Sequence, residues 1–169
     1  MSASTHEHRS RAPKQVGCAV ITISDSRTEA TDVGGQLLVD LMTDAGHQIV
    51  KRKIIPDEPE QMRELLGLLS QRDDIDVILM TGGTGVSPRD QTYETVAGIL
   101  DKTLPGYGEL FRHLSYADIG TAAIMSRATG GVLGKTVVLT MPGSPAGVRL
   151  ATEKIILPEL GHLVATAQQ

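Results

Sequence analysis

The sequence predicts an α/β fold, a three-layer α/β/α sandwich on a mostly parallel sheet with one antiparallel outer strand. Three observations predict it. Strand and helix patterns alternate over roughly the first hundred residues, as chains of βαβ units do. The run Val77-Ile78-Leu79-Met80 is apolar on both faces and bounded by glycine, which suits a central parallel strand. Extended segments end in polar loops, and those after Ser24, Ile55, Met80 and Met141 gather at the edge where such sheets bind ligands.

Taken in order, residues 1–13 are polar, carry His6, His8, Arg9 and Arg11, and read as a loose tail, while 14–169 read as one domain. His6 and His8 offer metal ligands, with a solvated tail as the plainer reading. The first strand is Val16 to Ser24, followed by the polar loop Ser24-Asp25-Ser26-Arg27. Asp25 is either a turn residue or a substrate contact there. Asp32 caps a helix whose apolar face is Val33, Leu37, Leu38, Leu41, Met42 and Ala45, closed by Gly46. Gly34 and Gly35 weaken its first turn, by about 1 kcal/mol each relative to alanine. They make sense where a ligand or another backbone comes close.

A second strand, Gln48 to Ile55, ends in Pro56-Asp57-Glu58 ahead of a helix with Met62, Leu65, Leu66 and Leu69 on one face. Asp57 is placed either to cap that helix or to work at the strand-end site. After Met80 comes Thr81-Gly82-Gly83-Thr84-Gly85, then Pro88, Arg89, Asp90 and a helix start at Thr92. Such a loop is either a tight strand-to-helix turn or a nest of N–H groups for phosphate. Arg89 would add a planar cation and Asp90 a hard oxygen for magnesium. Tyr93, Val96, Ala97 and Leu100 line a short helix. Pro105-Gly106-Tyr107-Gly108 reads as a turn, with Leu110, Phe111 and Leu114 opening another helix. Extended segments at 127–132 and 136–141 flank a hairpin-like turn, Gly130 to Gly134. Ser144 as N-cap with Pro145 behind it starts the last helix, and Pro158 ends or kinks it.

Composition narrows the function. A net charge of −4 and 2% aromatic residues argue against nucleic-acid binding, for lack of a basic footprint and of stacking platforms. No apolar run approaches the about 18 residues of a membrane span, and no signal peptide is visible, so a cytoplasmic protein is expected. Cys18, the only cysteine, rules out an internal disulfide and reads as a small core residue. Thr129 to Thr136 resembles a P-loop, but threonine stands where its first glycine belongs and a strand, Val137-Val138-Leu139, follows where the motif opens a helix.

The gathered loops therefore offer a phosphate nest, the carboxylates of Asp57 and Asp90, one arginine and a helix start at Ser144. No histidine stands beside a candidate nucleophile. Phosphoryl or nucleotidyl transfer fits that inventory, because it asks mainly for positioning and charge neutralisation. Mg²⁺ is held by one or two carboxylates plus substrate phosphates.

The stretch TGGTG…RDQTYE, with Ile55-Pro56-Asp57-Glu58 and Met141-Pro142-Gly143-Ser144-Pro145, resembles the MoaB/Mog family of molybdopterin biosynthesis over Val16 to Leu160. The resemblance implies a molybdopterin adenylyltransferase, in which the terminal phosphate of molybdopterin attacks the α-phosphorus of ATP with Mg²⁺ present. Asp57 and Asp90 match the catalytic, magnesium-associated carboxylates. Thr81, Gly82, Gly83, Thr84, Gly85, Arg89, Glu94, Pro142, Gly143 and Ser144 match pocket positions, and Ser24, Asp25 and Asp32 match them less closely. Homotrimers or hexamers and hand-over to a molybdenum insertase are implied as well. Two rival expectations are a molybdopterin carrier that does not adenylylate and a structural trimeric scaffold.

Overall fold

The computed structural model describes residues 13–169; the N-terminal tail, with His6 and His8, lies outside them. The elements in chain order are β1 (Gly17–Ile23), α1 (Val33–Asp44), β2 (Gln48–Ile55), α2 (Pro59–Leu69), β3 (Val77–Thr81), α3 (Thr92–Ala97) and β4 (Lys102–Thr103). Then follow α4 (Pro105–Ile119), a 3₁₀ turn (Gly120–Met125), β5 (Gly130–Leu133), β6 (Thr136–Met141), α5 (Pro145–Ala151), a π turn (Thr152–Ile156) and α6 (Leu157–Ala167).

The sheet order is β2-β1-β3-β6-β5-β4. β1 pairs in parallel with β2 and β3, and β3 with β6, whereas β5 runs antiparallel to both β6 and β4. Alternation along the inner strands divides the core in two. Cys18, Val20, Val77, Leu79, Val137 and Leu139 join α1, α4, α5 and α6 on one face. Ala19, Ile21, Ile78, Met80 and Val138 join α2 and α3 on the other. With both faces covered, the parallel strands need apolar residues at every position, which is why Val77–Thr81 is buried throughout. Cys18 is fully buried and its thiol pKa is pushed up to about 12 by that burial, so it serves as core.

Two expectations need correction. Pro105-Gly106-Tyr107-Gly108 is the first turn of α4, not a free turn: Pro105 sits at the start of the helix, where its missing N–H has no partner to lose. Gly108 lies there because a Cβ would strike the Ala128 carbonyl. The segment expected at 127–132 is strand at Gly130–Leu133, so Gly130 opens β5 and the turn of the hairpin narrows to Gly134-Lys135. Among the described strands β5 alone runs against the rest of the sheet, as the sequence predicts; the two-residue β4, antiparallel to β5, points the same way as β6 and is too short to show a pattern. Pro158 lies in the first turn of α6, directly after the π turn Thr152–Ile156 that interrupts the helix begun at Pro145.

Candidate active site

β2 lies to one side of β1 and β3 to the other, so the chain's direction of winding reverses at β1 and a crevice opens beyond the strand ends. A cleft of about 510 Å³ occupies that place. Ile23 and Ser24 at the end of β1, Thr81 and Gly82 at the end of β3, and Gly143 and Ser144 after β6 line it. Gly34 closes its side: a Cβ there would stand 2.6 Å from the Gly143 carbonyl, so the close backbone approach expected near this glycine is made by the chain itself.

Several cleft residues have their polar groups engaged within the protein. Asp32 is 4% exposed; it accepts from Gly35 N at 2.9 Å and Thr22 Oγ1 at 2.7 Å, and faces Arg52 at 3.4 Å. This is a helix cap, worth about 1 kcal/mol. Ser144 caps α5 by accepting from Gly147 N at 3.2 Å. Thr81 Oγ1 donates to Pro142 O, and Gly82 N to Met141 O, so the Gly82 amide does not belong to a phosphate nest. Arg27, exposed at the mouth, donates to Thr31 O at 2.9 Å.

Beside the cleft the loops after β1, β2 and β3 interlock through charge. Arg89 reaches Asp25 through two hydrogen bonds, 2.7 and 2.9 Å, and Glu58 through one of 2.8 Å. The guanidinium that the sequence offered as a phosphate ligand is a clamp between loops. It holds the Asp25 carboxyl below its usual range, and Asp25 in turn accepts from Asp57 N at 3.1 Å. Asp57 does not cap α2; Glu58 occupies that position without a side-chain cap. Instead Asp57 is 5% exposed and accepts from Gln91 N at 3.1 Å. Burial raises its pKa, the Gln91 N–H opposes that, and the charge of nearby Asp90 adds to it.

Asp90 accepts from Ser87 N at 3.0 Å. Both aspartates lean on the glycine loop: a Cβ at Gly83 would collide with Asp57 Oδ2, and one at Gly85 would lie 2.7 Å from Asp90 Oδ2. Gly83 also has φ = 62°, a left-handed value that glycine takes freely. The structure thus brings Asp25, Asp57, Gly83, Gly85, Arg89 and Asp90 into one cluster next to the cleft. Thr84 is buried behind it. Glu94 turns away to pair with Arg127, and Pro142 lines a smaller cavity with Phe111 and Ser115.

Among the described residues no three His, Cys, Asp or Glu side chains converge as a metal cage. Mg²⁺ does not need one, since it keeps waters and takes substrate phosphates with one or two carboxylates. Asp57 and Asp90 are a hard-oxygen pair of that kind, and the buried Thr92 hydroxyl, without a partner among the described residues, stands by Asp57, so the residues present fit it.

Sequence reasoning missed Arg127 and Glu58. Arg127 donates to the carbonyls of Thr84, Gly85 and Asp90, pairs with Glu94 and lies 5.2 Å from the centre of the Tyr93 ring. It braces the glycine loop from behind, yet is 42 residues distant from Gly85 in sequence and has no local signal. Glu58 was visible only as part of a motif.

A family model described as "Probable molybdopterin binding domain" matches residues 19–162. The chain belongs to the MoaB/Mog family. Molybdenum cofactor biosynthesis protein B of Bacillus cereus is 50% identical over 161 residues, 95% of each chain. A crystal structure of a molybdenum cofactor biosynthesis protein B superposes with a TM-score of 0.89 at 49% identity, over 93% of this chain and 98% of that one. The tungsten cofactor synthesizing protein MoaB of Pyrococcus furiosus gives 0.82 at 35% identity, over 94% and 100%. The family's place, and this chain's, is molybdenum cofactor biosynthesis.

Proposed function

We propose that the chain is a molybdopterin adenylyltransferase, joining the α-phosphoryl group of ATP to the terminal phosphate of molybdopterin and releasing pyrophosphate. The observation that carries the reading is the placing of Asp57 and Asp90, from different strand-end loops, against one glycine loop beside the cleft. A phosphate oxygen of the pterin forms a bond to the α-phosphorus, and the bond to the bridging oxygen breaks, its electron pair leaving with pyrophosphate. The substrate brings its own nucleophile, which suits a site built for positioning and charge neutralisation.

Asp57 and Asp90 would hold Mg²⁺, which when bound offsets the charge gathering on the phosphates. The Arg89 clamp keeps the loops carrying Asp25, Glu58 and Asp90 in register, so that both carboxylates arrive together. The cleft floor, where a Cβ on Gly143 would lie 3.3 Å from the Gly82 α-carbon, lets substrate approach backbone without side chains in the way. A homotrimer or hexamer, and hand-over of the product to a molybdenum insertase, are the assembly and partner this reading adds.

The test is pyrophosphate release from ATP and Mg²⁺ with molybdopterin present or withheld. Release that requires the pterin and falls at least a hundredfold in Asp57→Asn and Asp90→Ala supports the reading. Pterin binding without pyrophosphate would make the chain a carrier.

A further inference from the structure

Thr92 is fully buried at the first position of α3, and its Oγ1 has no hydrogen-bond partner among the described residues. Three helix hydroxyls of this chain donate to a carbonyl four residues back, Thr43 to Val39, Ser115 to Phe111 and Thr166 to His162, whereas Thr152, in the π turn, is unpaired like Thr92. Thr92 has no helical turn behind it to supply one. Its backbone N–H is taken by Gly83 O at 3.0 Å, which turns the side chain toward the Gly83 α-carbon. A Cβ on Gly83 would collide with two atoms at once, Thr92 Oγ1 and Asp57 Oδ2. Hydroxyl and carboxylate oxygen therefore flank one niche that glycine keeps open. Asp57 Oδ1 is held by Gln91 N, whereas no hydrogen bond among the described residues holds Oδ2. A buried donor without an acceptor, which is costly, thus stands next to a carboxylate oxygen that no donor holds.

We propose that Thr92 is a positioning residue for Asp57, its hydroxyl donating to Oδ2 when the carboxylate engages the divalent cation and phosphates of the reaction. This rests on the reading of Asp57 as a cation-holding carboxylate. With both oxygens fixed, the carboxylate loses its freedom to rotate, and a carboxylate so held binds a hard cation better. Gly83, Thr92 and Gln91 then form one unit whose purpose is the orientation of Asp57.

The experiment titrates Mn²⁺, as a paramagnetic stand-in for Mg²⁺, into the full chain with and without ATP, comparing wild type, Thr92→Val, Thr92→Ser, Thr92→Ala and Asp57→Asn. Thr92→Val preserves shape and removes an unpaired buried hydroxyl without breaking a bond, so its unfolding midpoint should equal or exceed that of wild type. Mn²⁺ affinity is expected to fall about tenfold in Thr92→Val and Thr92→Ala, as for other residues that orient a metal ligand. It should return to within about twofold of wild type in Thr92→Ser. Unchanged affinity in the valine and alanine variants overturns the proposal. So does equal weakening in valine and serine, or indistinguishable binding by wild type and Asp57→Asn. If Mn²⁺ binding behaves as expected while wild type releases no pterin-dependent pyrophosphate, the adenylyltransferase reading fails and the role of Thr92 stands.

Discussion

At Asp57 burial raises the carboxyl pKa, so between the unfolded value of about 3.9 and the higher folded value the native state binds more protons than the unfolded one. Stability is therefore full below the unfolded value and is lost as pH rises through the folded one. Asp57→Asn keeps the acceptor for Gln91 N and removes that loss. The metal-free variant should be as stable as wild type or more so at pH 7 by urea denaturation, while its activity disappears. A loss of more than about 1 kcal/mol would show Asp57 to be structural instead. His47 has the opposite sign. Burial lowers its pKa, and its Nδ1 accepts from Val16 N at 3.4 Å, so the fold needs the neutral ring. Its contribution is present above the unfolded value of about 6.5 and is lost as pH falls toward the folded one. His47→Gln should flatten the pH dependence of stability between pH 7 and 5. An unchanged slope would contradict this assignment.

At the scale of elements, the loop between β3 and α3 is built by contacts at both its ends and behind it. Gly83→Ala should cost about 1–3 kcal/mol, because the left-handed φ and the collision with Asp57 act together. Arg127→Met should leave the strands intact and speed amide exchange at residues 84–90; equal exchange would show that the guanidinium does not brace the loop. The strands and long helices were legible in sequence because apolar spacing reports burial directly. β2 shows its full span, Gln48–Ile55, and Asp32 and Ser144 show as caps. The first turn of α4 was not legible, since Pro105, Gly106 and Gly108 spell a turn locally and only the packing on Ala128 makes them helix. Arg89 was visible as a cation, but its partners, Asp25 and Glu58, come from two other loops.

For the whole molecule, one parallel sheet edge gathers the cleft, the glycine loop and both candidate carboxylates, while the turns at Gly46 and Gly134 lie at the other ends of the strands. Binding of Mg²⁺ with a non-hydrolysable ATP analogue should slow amide exchange in residues 22–29, 81–90 and 142–147 and leave both distant turns unchanged. Protection centred on the distant turns would place the nucleotide elsewhere. The edge itself was legible from strands that end in polar loops, and the topology accounts for it through the reversal at β1. The central claim is tested most directly with ATP labelled at its α-phosphate. Incubated with molybdopterin and Mg²⁺, the wild-type protein should move the label onto the pterin, and Asp90→Ala should not. Pterin recovered bound but unlabelled from the wild-type protein would contradict the claim.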